Sequence, residues 1–294
     1  MTWWEGVAGV GAVLAVWWPI RGRIAARIER DFMAARPRDA EGFIVGAAPF
    51  TMPGTRPGGV LLLHGYNDSP QSLRAMARMI NARGWTVRVP ALPGHGRTLQ
   101  EFAASRADAW IASARAELRA LQGTHAEVAV GGLSMGGAIA LLLAAETPSV
   151  RAVVTFAPYL HASVPLPLLA AIAPLMALRA RWIPGGGGRS VRDPVAAAAM
   201  IAYRRSTPRL LVQLAQVVHR VRRTLGAVHQ PVLVLQSRED NRIPMGSATE
   251  AFARIGSTDK TLQWSSGSGH VVTVDYGYEM IGTAAADWLE TRLP

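Results

Sequence analysis

Gly132-Leu133-Ser134-Met135-Gly136 is preceded by the apolar run Glu127 to Gly131 and followed by the Ala/Leu-rich run Gly136 to Glu146. The stretch reads as strand, sharp turn and helix. A serine at such a corner is held on a strained turn that lifts its hydroxyl clear of the sheet, and the small residues two before and two after it let the flanking backbones pass closely. This is a nucleophile elbow, and the pattern occurs once in the chain.

Working outward, the same alternation repeats on both sides. Gly59 to Leu63 is a short, fully apolar run that fits a strand buried on both faces, ending in His64-Gly65-Tyr66-Asn67-Asp68-Ser69-Pro70. Ser69 and Pro70 read as the cap and first position of a helix running to about Ala82. Trp85 to Val89 is the next strand, ending in Pro93-Gly94-His95-Gly96, and a helix follows over about Ser105 to Gln122. After the elbow helix comes a strand at Val150 to Phe156. Ahead of them all, Arg36 to Thr55 reads as a linker with a first strand around Phe43 to Val45. Strands alternating with helices imply an α/β fold, a mostly parallel sheet covered on both faces.

The alternation breaks from Pro158 to Gln230, which holds proline clusters, four glycines at Gly185 to Gly188, and helical readings at Pro194 to Tyr203 and Pro208 to Leu225. It resumes with strand Pro231 to Gln236, helix Ser247 to Ile255, strand Thr261 to Ser265 and helix Tyr276 to Thr291. An excursion of this length is too long for a simple connection and reads as a helical cap over the site. The expected organisation is a core of residues 39–157 and 231–294, a cap of 158–230 and an N-terminal segment of 1–38. Val164, Leu166, Leu168, Leu169, Ile172, Leu175 and Met176 are expected either to line an acyl tunnel or to form the cap's own packing core.

With 294 residues, half of them hydrophobic, the chain can bury a sizeable core. It has no cysteine, which excludes disulfides and thiol catalysis. Net charge is +11, and every basic residue except Lys260 is arginine. The cap carries much of that excess, with ten arginines against the single acid Asp193 between His161 and Gln230. No nucleic-acid-binding motif accompanies the charge, so a nucleic-acid partner is not expected.

Trp3 to Ile20 holds one charge, Glu5, and has tryptophan pairs at both ends, Trp3-Trp4 and Trp17-Trp18. Eighteen helical residues span about 27 Å, close to a hydrocarbon core of roughly 30 Å. The segment therefore reads as a membrane anchor, with a helix lying on the membrane surface as the alternative, because Gly6, Gly9 and Gly11 dilute its hydrophobicity. Arg21, Arg23, Arg27 and Arg30 follow, opposite Ile20, Ile24 and Ile28, as a basic amphipathic helix suited to anionic headgroups. If the first segment spans, the charge bias places the catalytic domain in the cytoplasm.

With Ser134 as nucleophile, the acid and base are expected in loops after later strands, in the order Ser, Asp or Glu, His. The strand Val232 to Gln236 runs into Ser237-Arg238-Glu239-Asp240, and Thr261 to Ser265 runs into Gly267-Ser268-Gly269-His270. His270 is expected to take and return the Ser134 proton, and Asp240, in competition with Glu239, to fix the imidazole tautomer. Backbone amides of Tyr66 and Met135 are expected to hold the oxyanion. Asp275 reads as the N-cap of the last helix. His64 is expected to shape the oxyanion loop, and His95 to be structural or part of the pocket wall. The remaining histidines have no metal-ligand spacing, so neither a metal nor a cofactor is expected.

His64-Gly65-Tyr66, Gly132 to Gly136, Asp240 and His270 together resemble the α/β-hydrolase superfamily. More narrowly, Leu62 to Pro70, the Pro-Gly-His-Gly loop, Tyr203 to Pro208 and Ser268 to Asp275 look like bacterial carboxylesterases and monoacylglycerol lipases, from about Val60 to the C-terminus. The resemblance implies hydrolysis of apolar carboxylic esters through an acyl-enzyme, with no cofactor, and a place in lipid metabolism. Two features depart from it, the N-terminal apolar segment and the stretch Pro165 to Gly188. A thioesterase, amidase, acyltransferase or perhydrolase would use the same triad. The alternative from another class is a hydrolase fold kept as a ligand-binding protein. Oligomeric state is not legible in the residues.

Overall fold

The computed structural model of the protein describes residues 3–161, 163–185 and 190–293, with residues 3–14 as backbone alone. Glycines 186–188 of the predicted glycine run lie outside the described residues. Seven strands form one sheet: β1 (Phe50–Met52), β2 (Gly58–Leu63), β3 (Thr86–Val89), β4 (Glu127–Leu133), β5 (Val150–Phe156), β8 (Val232–Ser237) and β9 (Lys260–Ser265), ordered β1-β3-β2-β4-β5-β8-β9. Only β1 runs antiparallel, against β3; the other pairs are parallel.

Side chains alternate across the pleat, so each central strand feeds two apolar layers. Leu61, Leu63, Val128 and Val130 face one layer, shared with α3 (Leu99–Ala104), α4 (Ala107–Gln122), α5 (Met135–Glu146), α8 (Pro208–Thr224) and α9 (Met245–Ala253). Val60, Leu62 and Ala129 face the other, shared with α2 (Arg74–Asn81) and α10 (Tyr278–Glu290). Burial on both faces is why β2 and β8 are apolar throughout most of their length rather than alternating.

The predicted strand at Phe43 to Val45 is not one. Phe43 and Ile44 are buried, but they serve as a plug: Ile44 N donates to Gly96 O (2.7 Å), and the Arg97 guanidinium lies 4.0 Å from the Phe43 ring centroid. The first strand is β1, seven residues further on. A three-residue apolar run is too short for periodicity to tell plug from strand.

The N-terminal segment is also not two elements. Residues Trp3–Ala34 form one helix, α1, which carries Pro19 inside it. Among the described residues no helix is long and apolar enough to cross a membrane, so the spanning reading falls and with it the charge-bias argument for a cytoplasmic domain. α1 is instead fastened to the body. Ala25 and Phe32 are buried, Phe32 stacks on Tyr203 at 5.4 Å, and Trp17 Nε1 donates to Leu178 O (3.0 Å).

Between β5 and β8 the chain adds α6 (Leu166–Arg179), a small hairpin of β6 (Ile183–Pro184) with β7 (Arg205–Ser206), α7 (Pro194–Ala199) and α8. α8 belongs to this excursion by sequence and to the core by packing, since Leu210, Val217 and Val221 join the layer of α4 and α5. α6 behaves differently: only Ala173 is buried along its length.

Candidate active site

The elbow is built as its glycines require. β4 ends at Leu133 and α5 begins at Met135, leaving Ser134 alone between them at φ 53°, ψ −117°. A non-glycine residue there is strained and held by its surroundings. Ser134 N donates to Phe156 O (2.9 Å), and Ser134 O accepts from Ala138 N and Tyr159 N (3.0 Å each). A Cβ on Gly136 would collide with the Leu63 carbonyl, and one on Gly132 would meet Leu63 O and Gly136.

The loops after β8 and β9 converge on this serine. His270 Nε2 lies 2.8 Å from Ser134 Oγ, and His270 Nδ1 lies 2.8 Å from Asp240 Oδ2. With Nδ1–H donating to the carboxylate, Nε2 is left to accept the serine hydroxyl. Asp240 Oδ2 also accepts from Gln236 Nε2 (2.6 Å), while Oδ1 accepts from the amides of Arg242 (2.7 Å) and Ile243 (3.0 Å). Burial opposes the charge of Asp240, but the bond and charge of His270 and those two amides outweigh it and hold the carboxyl below its usual range. Glu239 points elsewhere, accepting from Gly267 N (3.1 Å) and Ser237 Oγ (3.3 Å), so the two neighbouring acids have separate tasks.

Tyr66 borders the cavity in front of Ser134, and Met135 is the first residue of α5, where helix amides have no intrahelical acceptor. His64, in the same loop as Tyr66, donates from Nδ1 to Gly65 O (2.9 Å) and accepts from Leu92 N at Nε2 (3.0 Å). Burial lowers its pKa to about 4, so it is a neutral bridge between the loops after β2 and β3. His95 is absent from the cavity wall and packs among His64, Phe102 and Trp110.

Two contributors were not assigned from the residues alone, and a third has a different role from the one expected. Asn67, at φ 63°, clips the loop after β2 to the cap: its Oδ1 accepts from Arg204 N (2.7 Å), its Nδ2 donates to Arg205 O, and its carbonyl accepts from Tyr203 N (3.2 Å). Asp68 is a buried carboxyl on the cavity wall whose Oδ2 accepts from Ser72 Oγ (2.5 Å) and Gly65 N (3.4 Å); desolvation pushes its pKa up to about 6. Asp275 is not the cap of the last helix, a position held by Gly277 at φ 77°. It is fully buried and accepts four amides: Gly269 (2.6 Å) and Arg192 (2.8 Å) at Oδ2, Asp193 (2.8 Å) and Tyr276 (2.9 Å) at Oδ1. The loop carrying His270 is thereby tied to the cap segment before α7. An acid five residues beyond a loop histidine was the only signal, and it suits a helix cap equally well.

The cavity has a volume of about 310 Å³; its apolar wall includes Leu133, Met200, Leu211, Leu214 and Val271, and its polar wall Asn67, Ser206 and Arg242. None of the seven apolar residues expected from Val164 to Met176 lines it, nor is any of them fully buried. They form no tunnel at the site: Leu168 and Leu175 are exposed and the other five are half-buried, with α6 lying against α8.

A family model described as Serine aminopeptidase, S33 (Hydrolase_4) matches residues 55–276. The chain is 31% identical over 245 residues to the Thermostable monoacylglycerol lipase of Bacillus sp. (strain H-257), covering 80% of this chain and 91% of that protein. It is 25% identical over 248 residues to the Carboxylesterase of Bacillus subtilis (strain 168), covering 84% and 98%. Among solved structures, one from work on the metagenome-derived lipolytic enzymes LipS and LipT superposes with TM-score 0.76 at 32% identity, covering 84% of this chain and 98% of that one. The monoacylglycerol lipase of Paleococcus ferrophilus superposes with TM-score 0.71 at 19% identity, over 83% and 98%, a likeness of fold. With the family model spanning most of the sheet and every loop around Ser134, the chain belongs to the S33 family of α/β-hydrolases and is a serine ester hydrolase.

Proposed function

We propose that this enzyme cleaves carboxylic esters of apolar acyl chains, in the manner of a carboxylesterase or monoacylglycerol lipase, through an acyl-enzyme on Ser134. The observation that carries the reading is the unbroken relay from Asp240 through His270 to Ser134 Oγ, with 2.8 Å at each step. His270 takes the hydroxyl proton as Oγ attacks the ester carbonyl, and returns it to the departing alcohol; water then repeats the sequence to release the acid. Asp240 holds the tautomer and stabilises the imidazolium. The amides of Tyr66 and Met135 receive the charge on the carbonyl oxygen, each such donor being worth on the order of 3 kcal/mol in the transition state. The apolar wall takes the acyl chain and the polar wall the alcohol.

In this reading residues 39–157 and 231–294 form the catalytic core, with 158–230 as the cap and α8 as its stem into the core. The substrate class makes the enzyme part of lipid metabolism and membrane-associated through the N-terminal segment, lying on the lipid rather than crossing it. The test is hydrolysis of p-nitrophenyl esters from acetate to palmitate, and of monoacylglycerols of matching chain length, by the wild type beside Ser134→Ala. The expected result is a preference for medium or long chains and a loss of about 10⁵-fold or more in kcat in the variant. Turnover that survives in Ser134→Ala would overturn the assignment.

A further inference from the structure

The cap helix α6 is anomalous for a surface element. Its sequence, Leu166-Pro-Leu-Leu-Ala-Ala-Ile-Ala-Pro-Leu-Met-Ala-Leu-Arg179, has no charge before its last residue, yet only Ala173 is buried. Leu168, Leu175 and Leu178 are 53%, 67% and 44% exposed. A helix that is apolar all round is normally enclosed by protein or lipid. Its residues do not line the catalytic cavity, as shown above.

The neighbouring element has the same character. Trp17 Nε1 donates to Leu178 O, which sets the exposed Val16 and Trp18 of α1 beside the exposed C-terminal turns of α6. Further along α1, Trp182 Nε1 donates to Glu29 Oε1 (3.1 Å) and Arg181 pairs with Glu29 (3.3 Å), so α1 is fastened to the cap at two places. Trp17, Ala25, Ile28 and Phe32 turn toward the body, which leaves Val16, Ile20 and Ile24 exposed together with Arg23, Arg27 and Arg30, of which Arg27 also pairs with the exposed Asp31 (3.7 Å). One surface thus presents aliphatic side chains from two helices, bordered by arginines. Large exposed apolar patches on a single chain mark interaction sites.

We propose that α1 and α6 together form one docking face whose partner is an anionic lipid bilayer, the aliphatic residues entering the acyl boundary and the arginines meeting the headgroups. This deepens the membrane association proposed above and names the cap, through α6, as half of the contact. Charge complementarity selects the lipid over a second copy of the chain: two copies meeting on this face would bring Arg23, Arg27 and Arg30 against the same three arginines. An amphipathic surface bordered by arginines is the pattern of elements that lie in the membrane interface. Because the face includes the cap, the docked enzyme holds its cap against the surface from which apolar esters arrive.

The test is co-sedimentation of the full chain with phosphatidylcholine vesicles, with and without phosphatidylglycerol, alongside size-exclusion chromatography and p-nitrophenyl butyrate hydrolysis without vesicles. The expected result is binding that needs phosphatidylglycerol and weakens with salt. It should fall about tenfold or more in Leu168→Ser/Leu175→Ser/Leu178→Ser, and also in Arg23→Glu/Arg27→Glu/Arg30→Glu. Both variants should keep wild-type hydrolysis of the soluble ester, which separates this proposal from the esterase assignment. Unchanged vesicle binding in the α6 variant, or binding indifferent to phosphatidylglycerol, overturns it. So does a dimer that the α6 substitutions dissociate, since a second copy would then cover the face.

Discussion

Around Ser134, buried titratable groups respond to pH in opposite directions. His64 has its pKa lowered to about 4 by desolvation, against an ordinary value of 6.5, so the folded state binds fewer protons than the unfolded chain between those limits. Its contribution to stability is present above pH 6.5 and is lost as pH falls toward 4. Asp68 is raised to about 6 from 3.8, so there the folded state binds more protons, and stability is lost as pH rises through that window. The two slopes offset one another in the wild type. Asp68→Asn keeps the acceptor oxygen for Ser72 and Gly65 but removes the titration. Its unfolding free energy, followed by thermal melting, should therefore gain on the wild type between pH 4 and pH 7, by on the order of 2 kcal/mol at the upper end. A constant difference across that range would show that Asp68 does not titrate in it. At Asp240 the charge itself is at issue: Asp240→Asn leaves the backbone contacts but permits the wrong His270 tautomer, and kcat for ester hydrolysis should drop by about 10⁴-fold with little change in melting temperature.

At the scale of elements, the elbow and the loops opposite it show what was legible in the sequence. The β4-turn-α5 unit could be read because its pattern is local, Gly132 and Gly136 standing two residues either side of Ser134, although what demands them includes the Leu63 carbonyl of the neighbouring strand β2. Gly136→Ala, which sets a methyl against the Leu63 carbonyl, should abolish soluble expression or cut kcat by orders of magnitude, and circular dichroism of any soluble fraction separates the two. The order Ser, Asp, His was legible for the same reason, Ser134 and Asp240 following strands of mostly apolar pattern and His270 a Gly/Ser-rich loop after the more polar strand β9. The partners of Asp275 were not legible, because Arg192 and Asp193 lie more than eighty residues away and nothing in an acid beside a helix announces that two of its four amides come from so distant a segment. Since each carboxylate oxygen takes two N–H donors, neither Ala nor Asn can replace it, the amide group of Asn turning donors against donors. Both variants should lose about 3 kcal/mol or more of stability. Both should also lower kcat more than they raise KM, since Gly269 adjoins His270; stopped-flow ester kinetics beside thermal melts would reveal a stability loss with kcat intact, which would confine Asp275 to holding the cap.

Across the whole molecule, the N-terminal helix is where a sequence reading and the folded chain part most clearly. Its apolar run and tryptophan pairs suggest a membrane anchor, although the described helix is not apolar enough to cross a membrane, and a local reading has nothing further to place it by. What decides its place is a set of distant partners: Gln100 Nε2 and Trp182 Nε1 on the carboxylate of Glu29, and Tyr203 against Phe32. Tyr203 in turn donates to Gly94 O (2.8 Å), accepts from Arg97 N (2.9 Å) and stacks on Phe102 at 4.3 Å. A continuous path of contacts therefore joins α1 to the loop after β3, and through Asn67, which accepts the Tyr203 amide, to the loop carrying Tyr66. Phe32→Ala should cost about 3 kcal/mol from the emptied space and the lost stacking. Because Tyr203 sits at the junction, the loss should not stay within α1: amide hydrogen exchange should rise in residues 93–97 and 203–206 as well as in the helix. If protection falls in α1 alone, the helix is an appendage resting on the body; if it falls in all three, α1 is part of the structure that holds the front of the active site.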